Sequence, residues 1–188
     1  ISAATLADYP LTSNGASITT DANIAVSDFA PSSNVTNNGF SATLGAQTTN
    51  WSTGAKDNLK YYELNITPNT GYIVSISNIN FMYSQTAAGP APLILQYSTD
   101  SSFASPTTVV TQTNVTNSST EGNSTNSGLS IEIPAGKTLR LRWFGYGFNA
   151  TTNTFYIRDV EILGESIKTF CSSGAIDEAN LQMGVSVS

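Results

Sequence analysis

The segment Tyr62-Glu63-Leu64-Asn65-Ile66 alternates apolar and polar side chains without a break. A period of two suits an extended strand with one buried face and fits no helix. Comparable runs recur every 10 to 15 residues, separated by clusters of Gly, Pro, Asn and Ser, and no stretch sustains a helical period. Strands are expected over 4–9, 22–29, 35–44, 59–67, 71–83, 92–99, 106–113, 128–133, 137–148 and 154–163. In the fifth of these Tyr72, Val74 and Ile76 form one inward set, and Ile79, Phe81 and Tyr83 resume it out of phase. The slip at Ser77-Asn78 implies a β-bulge. Pro68-Asn69-Thr70-Gly71 reads as a tight turn closing a hairpin. From Asn114 to Gly128 only Val115 is apolar, which predicts a mobile surface loop.

About ten short strands at this spacing imply an all-β chain, a two-sheet antiparallel β-sandwich in jelly-roll-like order. One domain over 1–164 accounts for them. Residues 165–188 have a different texture and read as a C-terminal extension, with a short helix over 176–183 and a strand-like Val185-Ser186-Val187-Ser188.

Composition narrows the function. Charged residues are 11% of the 188 positions, against a usual quarter, and Ser, Thr, Asn and Gly fill the polar sites. Surfaces of this kind suit proteins that are secreted or held at the cell surface. A net charge of −6 with seven basic residues argues against nucleic acid, which needs clustered Lys and Arg, and against anionic membranes. No apolar run is long enough to enter a bilayer, and no leader peptide is recognisable. Seven Asn-x-Ser/Thr triplets begin at Asn34, Asn50, Asn65, Asn114, Asn117, Asn123 and Asn149. In so Asn- and Thr-rich a chain, chance supplies several, so they are weak evidence of glycosylation.

Catalytic chemistry finds little support. The chain has no histidine, which removes Ser-His-Asp and Cys-His mechanisms and the commonest general base. Its single cysteine, Cys171, has no partner for a disulfide and no activating neighbour; it reads as a small buried thiol or as an intermolecular crosslink. A carboxylate pair remains, Asp159 with Glu161 on one strand face and Glu165 nearby, as glycoside hydrolysis would need. The simpler expectation is a structural ion pair between Asp159 and Arg142, or Arg140, on a neighbouring strand. No cofactor is required. Asp8, Asp21, Asp28, Asp57 and Asp100 at strand ends leave room for a structural calcium without naming its ligands.

The more suggestive feature is aromatic. Alternation from Leu139 to Phe148 sets Arg140, Arg142, Phe144, Tyr146 and Phe148 on one face and Leu139, Leu141 and Trp143 on the other. With Trp51, in the polar loop 48–57, and Tyr61, the residues Trp143, Tyr146 and Arg140 are candidates for an exposed platform. Flat rings stack on sugars while polar neighbours bond hydroxyls.

A resemblance enters on longer blocks. Tyr62-Glu63-Leu64-Asn65-Ile66-Thr67-Pro68, Gly71-Tyr72, Ile79-Asn80-Phe81, Gly89-Pro90 and Gln96-Tyr97-Ser98-Thr99-Asp100 are followed by Leu141-Arg142-Trp143-Phe144-Gly145-Tyr146-Gly147 and 155–164. Together they resemble a β-sandwich module of large secreted and surface proteins of Bacteroidota and other environmental bacteria. The last strand of that module often reads Ile-Asp-Asn-Val, and Ile157-Arg158-Asp159-Val160 departs from it. The resemblance covers roughly residues 5 to 164 and implies a carbohydrate-binding or adhesive module. Two functions therefore stand: a non-catalytic binder of an extracellular glycan, or a structural subunit of a filament or adhesin stalk that docks on neighbouring protein subunits by strand exchange through its terminal segments.

Overall fold

In a computed structural model of the chain, residues 3–86, 91–115, 117 and 119–169 are described. Cys171, Gly89-Pro90, and the segments where a 176–183 helix and a 185–188 strand are expected lie outside them. Fourteen strands and no helix make up the described residues; none of them forms a helix long and apolar enough to cross a membrane.

The strands form two antiparallel sheets. The first runs β11 (Gly122–Asn126), β8 (Tyr72–Gln85), β14 (Phe155–Lys168), β1 (Ala4–Tyr9) and β2 (Thr19–Thr20). Against it β12 (Ile131–Ile133) pairs with β8, β6 (Gly45–Thr49) pairs with β14, and β5 (Thr36–Ser41) pairs with β6. The second sheet runs β10 (Thr107–Gln112), β9 (Leu93–Ser98), β13 (Leu139–Gly145), β7 (Tyr62–Pro68) and β3 (Ile24–Val26), with β4 (Ala30–Pro31) also on β7.

The period-two pattern decides which faces meet. Leu6, Val74, Ile76, Ile79, Phe81, Ile133 and Ile162 from the first sheet are buried, as are Tyr62, Leu64, Ile66, Leu95, Leu139, Leu141 and Trp143 from the second. Removing these side chains from water is the main force holding the layers together. The slip in β8 is a bulge, as its phase implied. Leu163 pairs with Asn78 and Gly164 with Ile76, leaving Ser77 as the extra residue. Its carbonyl accepts the Leu129 N–H at 2.9 Å, so the bulged peptide is not left unpaired. Gly164 follows from close packing: a Cβ there would lie 2.1 Å from the Ser75 carbonyl oxygen.

Three expectations are corrected. The turn before Gly71 is tight, with Tyr72 N–H donating to Asn69 O at 3.0 Å and Gly71 at φ +82°. It closes no hairpin, because β7 and β8 belong to opposite sheets. Ribbon alternation cannot reveal which sheet the next strand joins. The segment 114–128 is not simply a loop, since it holds the edge strand β11. Backbone pairing with β8 forms that strand, from Gly122 opposite Tyr83 to Asn126 opposite Ile79. Polar side chains complete it, including Asn126 Nδ2 donating to Ile79 O at 2.8 Å. Arg158 then clamps it with a two-pronged bond to Glu121, at 2.7 and 2.6 Å. Finally, the sandwich does not end at Gly164. β14 stays paired with β8 as far as Lys168, opposite Tyr72.

Candidate functional site

On the outer face of the second sheet, register builds a row across four strands. Glu63 on β7 lies opposite Arg142 on β13, Arg142 opposite Gln96 on β9, and Gln96 opposite Thr108 on β10. The side chains bond in two pairs: Arg142 Nε donates to Glu63 Oε2 at 2.6 Å, and Gln96 Nε2 donates to Thr108 Oγ1 at 3.0 Å.

Beside this row is an aromatic cluster. The Arg142 guanidinium is held between two rings, 3.9 Å from the centre of Tyr61 and 4.3 Å from that of Phe103. Phe144 lies beneath, meeting Tyr61 edge-on at 5.9 Å and Phe103 at 6.3 Å. Lys56 Nζ sits 4.2 Å over the Phe144 ring and donates to Gln96 Oε1 at 2.9 Å. Lys56, Tyr61, Phe103, Arg142 and Phe144, together with Leu59, Ala104 and Pro106, line a groove of about 540 Å³.

Two loops make its walls. One, residues 50–61, is nailed down by Trp51, whose ring is fully buried against Tyr62, Phe148 and Phe155. The Trp51 N–H donates to Thr48 Oγ1 at 2.9 Å, and that hydroxyl donates to Tyr62 Oη at 2.7 Å. Desolvation pushes the Tyr62 phenol far above its ordinary range, so it stays a neutral donor. The chain then emerges, and the Asp57 carboxylate accepts the Leu59 N–H at 2.9 Å, leaving Leu59 62% exposed at the groove mouth. The other loop, 99–106, folds around Asp100. This carboxylate takes the Ser102 hydroxyl at 2.5 Å and the Ser102 and Ala104 N–H groups, which hold it below the usual carboxylate range. The turn places Phe103 at φ +54°, a conformation costly for a bulky residue, and so turns its ring onto Arg142.

The expected platform is only partly what forms. Tyr61 is partly exposed at the groove. Trp51 and Trp143 are wholly buried and present nothing to solvent. Trp143 falls on the inward phase of β13, packed against Phe29 at 5.2 Å and Phe81 at 5.9 Å. Trp51 escapes a strand pattern yet meets a pocket made by three distant segments. Arg140 lies outside the groove, in a polar depression with Thr99, Asp100, Lys137 and Thr138. Tyr146 is partly buried just past β13, its N–H on Pro92 O at 3.2 Å, and is not among the groove residues. The expected pair of Arg142 with Asp159 does not form, because β13 and β14 are in different sheets. Arg142 pairs with Glu63, and Asp159 with Arg158. Lys56, Phe103, Phe144 and Gln96 were not foreseen.

Asp159 and Glu161 line a depression of about 420 Å³ on the opposite face of the molecule, with Asp8 and Asn80. Glu161 Oε2 accepts Asn80 Nδ2 at 3.1 Å and lies directly across from Asp8. Burial, then the charges of Glu161 and Asp159, raise the Asp8 pKa. Among the described residues no three His, Cys, Asp or Glu side chains come together as metal ligands.

No protein-family model and no curated protein matches the sequence. Among solved structures, one similar chain is the N-terminal CBM22-1 and GH10 modules of an endo-1,4-β-D-xylanase of Clostridium thermocellum, in complex with xylohexaose. It matches at 13% identity and TM-score 0.45, over 89% of this chain and 30% of that one. This chain thus spans under a third of its length. Others are the K3 cleaved adhesin domain of Lys-gingipain from Porphyromonas gingivalis, at 12% identity, TM-score 0.43, and 86% and 98% coverage of the two chains. The K2 cleaved adhesin domain of Lys-gingipain matches at 16%, 0.42, and 83% and 99%. Likenesses this distant carry no argument about function.

Proposed function

We propose that this protein is a non-catalytic, extracellular glycan-binding module, and that the groove between the 50–61 and 99–106 loops is its site. The groove itself supports the reading. The partly exposed Tyr61 ring and the Leu59 and Pro106 side chains offer an apolar surface to the C–H face of a sugar ring. Arg142 in the groove, and the Glu63, Gln96 and Thr108 side chains beside it, offer donors and acceptors for hydroxyl groups. Arg142 is fixed before any ligand arrives, which lowers the entropy lost on binding. A face crossing four strands suits a chain of sugars better than one isolated unit.

The test is affinity electrophoresis of the protein through gels containing individual polysaccharides, neutral and acidic. Retardation by at least one is expected, and Tyr61→Ala should reduce it in a variant that circular dichroism shows to be folded. No retardation by any polysaccharide, or retardation untouched by Tyr61→Ala, would exclude this site.

A further inference from the structure

The protein is acidic as a whole, with 13 carboxylates against seven basic side chains, yet its charge is unevenly distributed. Five of the seven, Lys56, Lys60, Lys137, Arg140 and Arg142, lie on β13 or in the segments leading into β7 and β13. Only Arg158 and Lys168 belong to the other sheet, where Asp8, Glu121, Glu132, Asp159, Glu161 and Glu165 also sit. The side that holds the groove also carries Asp28, Asp57, Glu63 and Asp100, so it is close to neutral where the other sheet is acidic.

Within the groove the two cations differ. Arg142 is neutralised by Glu63 at 2.6 Å. Lys56 takes part in none of the ion pairs among the described residues. Its ammonium has three donors, of which one is used on Gln96 Oε1 and the ring of Phe144 faces another side. A partly desolvated ammonium with an unfilled donor and no counter-ion is placed to take an anionic acceptor. Burial also lowers the Lys56 pKa, as it does for a cation short of negative partners.

We propose that the groove selects an acidic sugar, a uronic acid residue of the glycan, whose carboxylate pairs with Lys56 while its ring lies along Tyr61. This rests on the glycan-binding reading above and sharpens it. One uncompensated cation matches one carboxylate per sugar. A densely sulfated chain presents several anions per repeat, more than the one unpaired cation of the groove can match.

The probes are polygalacturonate, hyaluronan, their carboxyl-reduced derivatives, dextran sulfate and a neutral xylan, each measured by titration calorimetry or affinity electrophoresis. A uronate polymer is expected to bind, with affinity falling about tenfold or more on carboxyl reduction. Lys56→Met and Lys56→Gln should shrink the difference in affinity between the uronate polymer and its reduced form to less than about threefold and give a shallower salt dependence. Far-ultraviolet circular dichroism and thermal melting of both variants establish that they fold. Equal binding of native and reduced polymers, or a preference for dextran sulfate, overturns the uronate assignment and leaves glycan binding standing. Binding of xylan alone does the same. Failure to bind every probe overturns both.

Discussion

The Arg142 guanidinium carbon sits over the Tyr61 ring, 3.9 Å from its centre, and this contact joins the outer face of β13 to the start of β7. The planar group fits between Tyr61 and Phe103 and still reaches Glu63 edge-on. Lysine has the charge without the plane. Arg142→Lys should lower stability by about 1 kcal/mol in urea titration and weaken retention by the bound polysaccharide. Wild-type retention in this variant would show that charge alone is what the groove supplies.

Trp51 tests the opposite role. Since its ring is fully buried and holds the 50–61 loop, Trp51→Ala should cost roughly 3–5 kcal/mol, the usual range for a large buried aromatic. Trp51→Phe should cost less and still lose the bond to Thr48. Both are read from denaturant midpoints. A midpoint unchanged in Trp51→Ala would place the ring in solvent.

Asp8 faces Glu161 across β1 and β14, with Asp159 close by, and its pKa is raised. A carboxyl whose folded pKa exceeds its unfolded value of 3.8 favours folding when protonated, and that contribution is lost as pH rises through the folded pKa. Asp8→Asn should therefore stabilise the protein at pH 7, by about 0.5 kcal/mol for like charges directly opposite. The advantage should shrink as the pH falls toward 4. A gap that widens on acidification would contradict this sign.

Gly164 is expected to tolerate no side chain. Gly164→Ala would press a methyl group onto the Ser75 carbonyl and onto Leu6 Cδ1, 2.9 Å away, at the bulge. A loss of about 1–3 kcal/mol is expected from overpacking, visible as a lower melting temperature.

Where burial follows local alternation, the sequence is a good guide. Tyr62, Leu64 and Ile66 turn inward and Glu63 and Asn65 do not, and even the β8 bulge announces itself by phase. Failures arise where the deciding contact is distant. The burial of Trp51 depends on Phe148 and Phe155 about a hundred residues away, and no local pattern encodes it. β11 carries no apolar alternation because the β8 backbone recruits it. The mispairing of Arg142 with Asp159 came from treating successive strands as neighbours, when β13 and β14 occupy different layers. Lys56, Phe103 and Arg142 meet only through topology. One trace of their site was legible: the basic residues gather at 56–60 and 137–142 in a chain otherwise poor in them.

β14 has a consequence for how the chain reaches this state. It pairs with β1, β6 and β8 alike. As the protein leaves the ribosome, those three strands emerge first and wait, their N–H and C=O groups open to any extended peptide. The first sheet can close only when residues near 168 are free, which makes its folding slow. A chain stalled before that point would hold all three edges exposed, so the nascent protein rather than the finished one is where aggregation threatens and where a chaperone has most to protect.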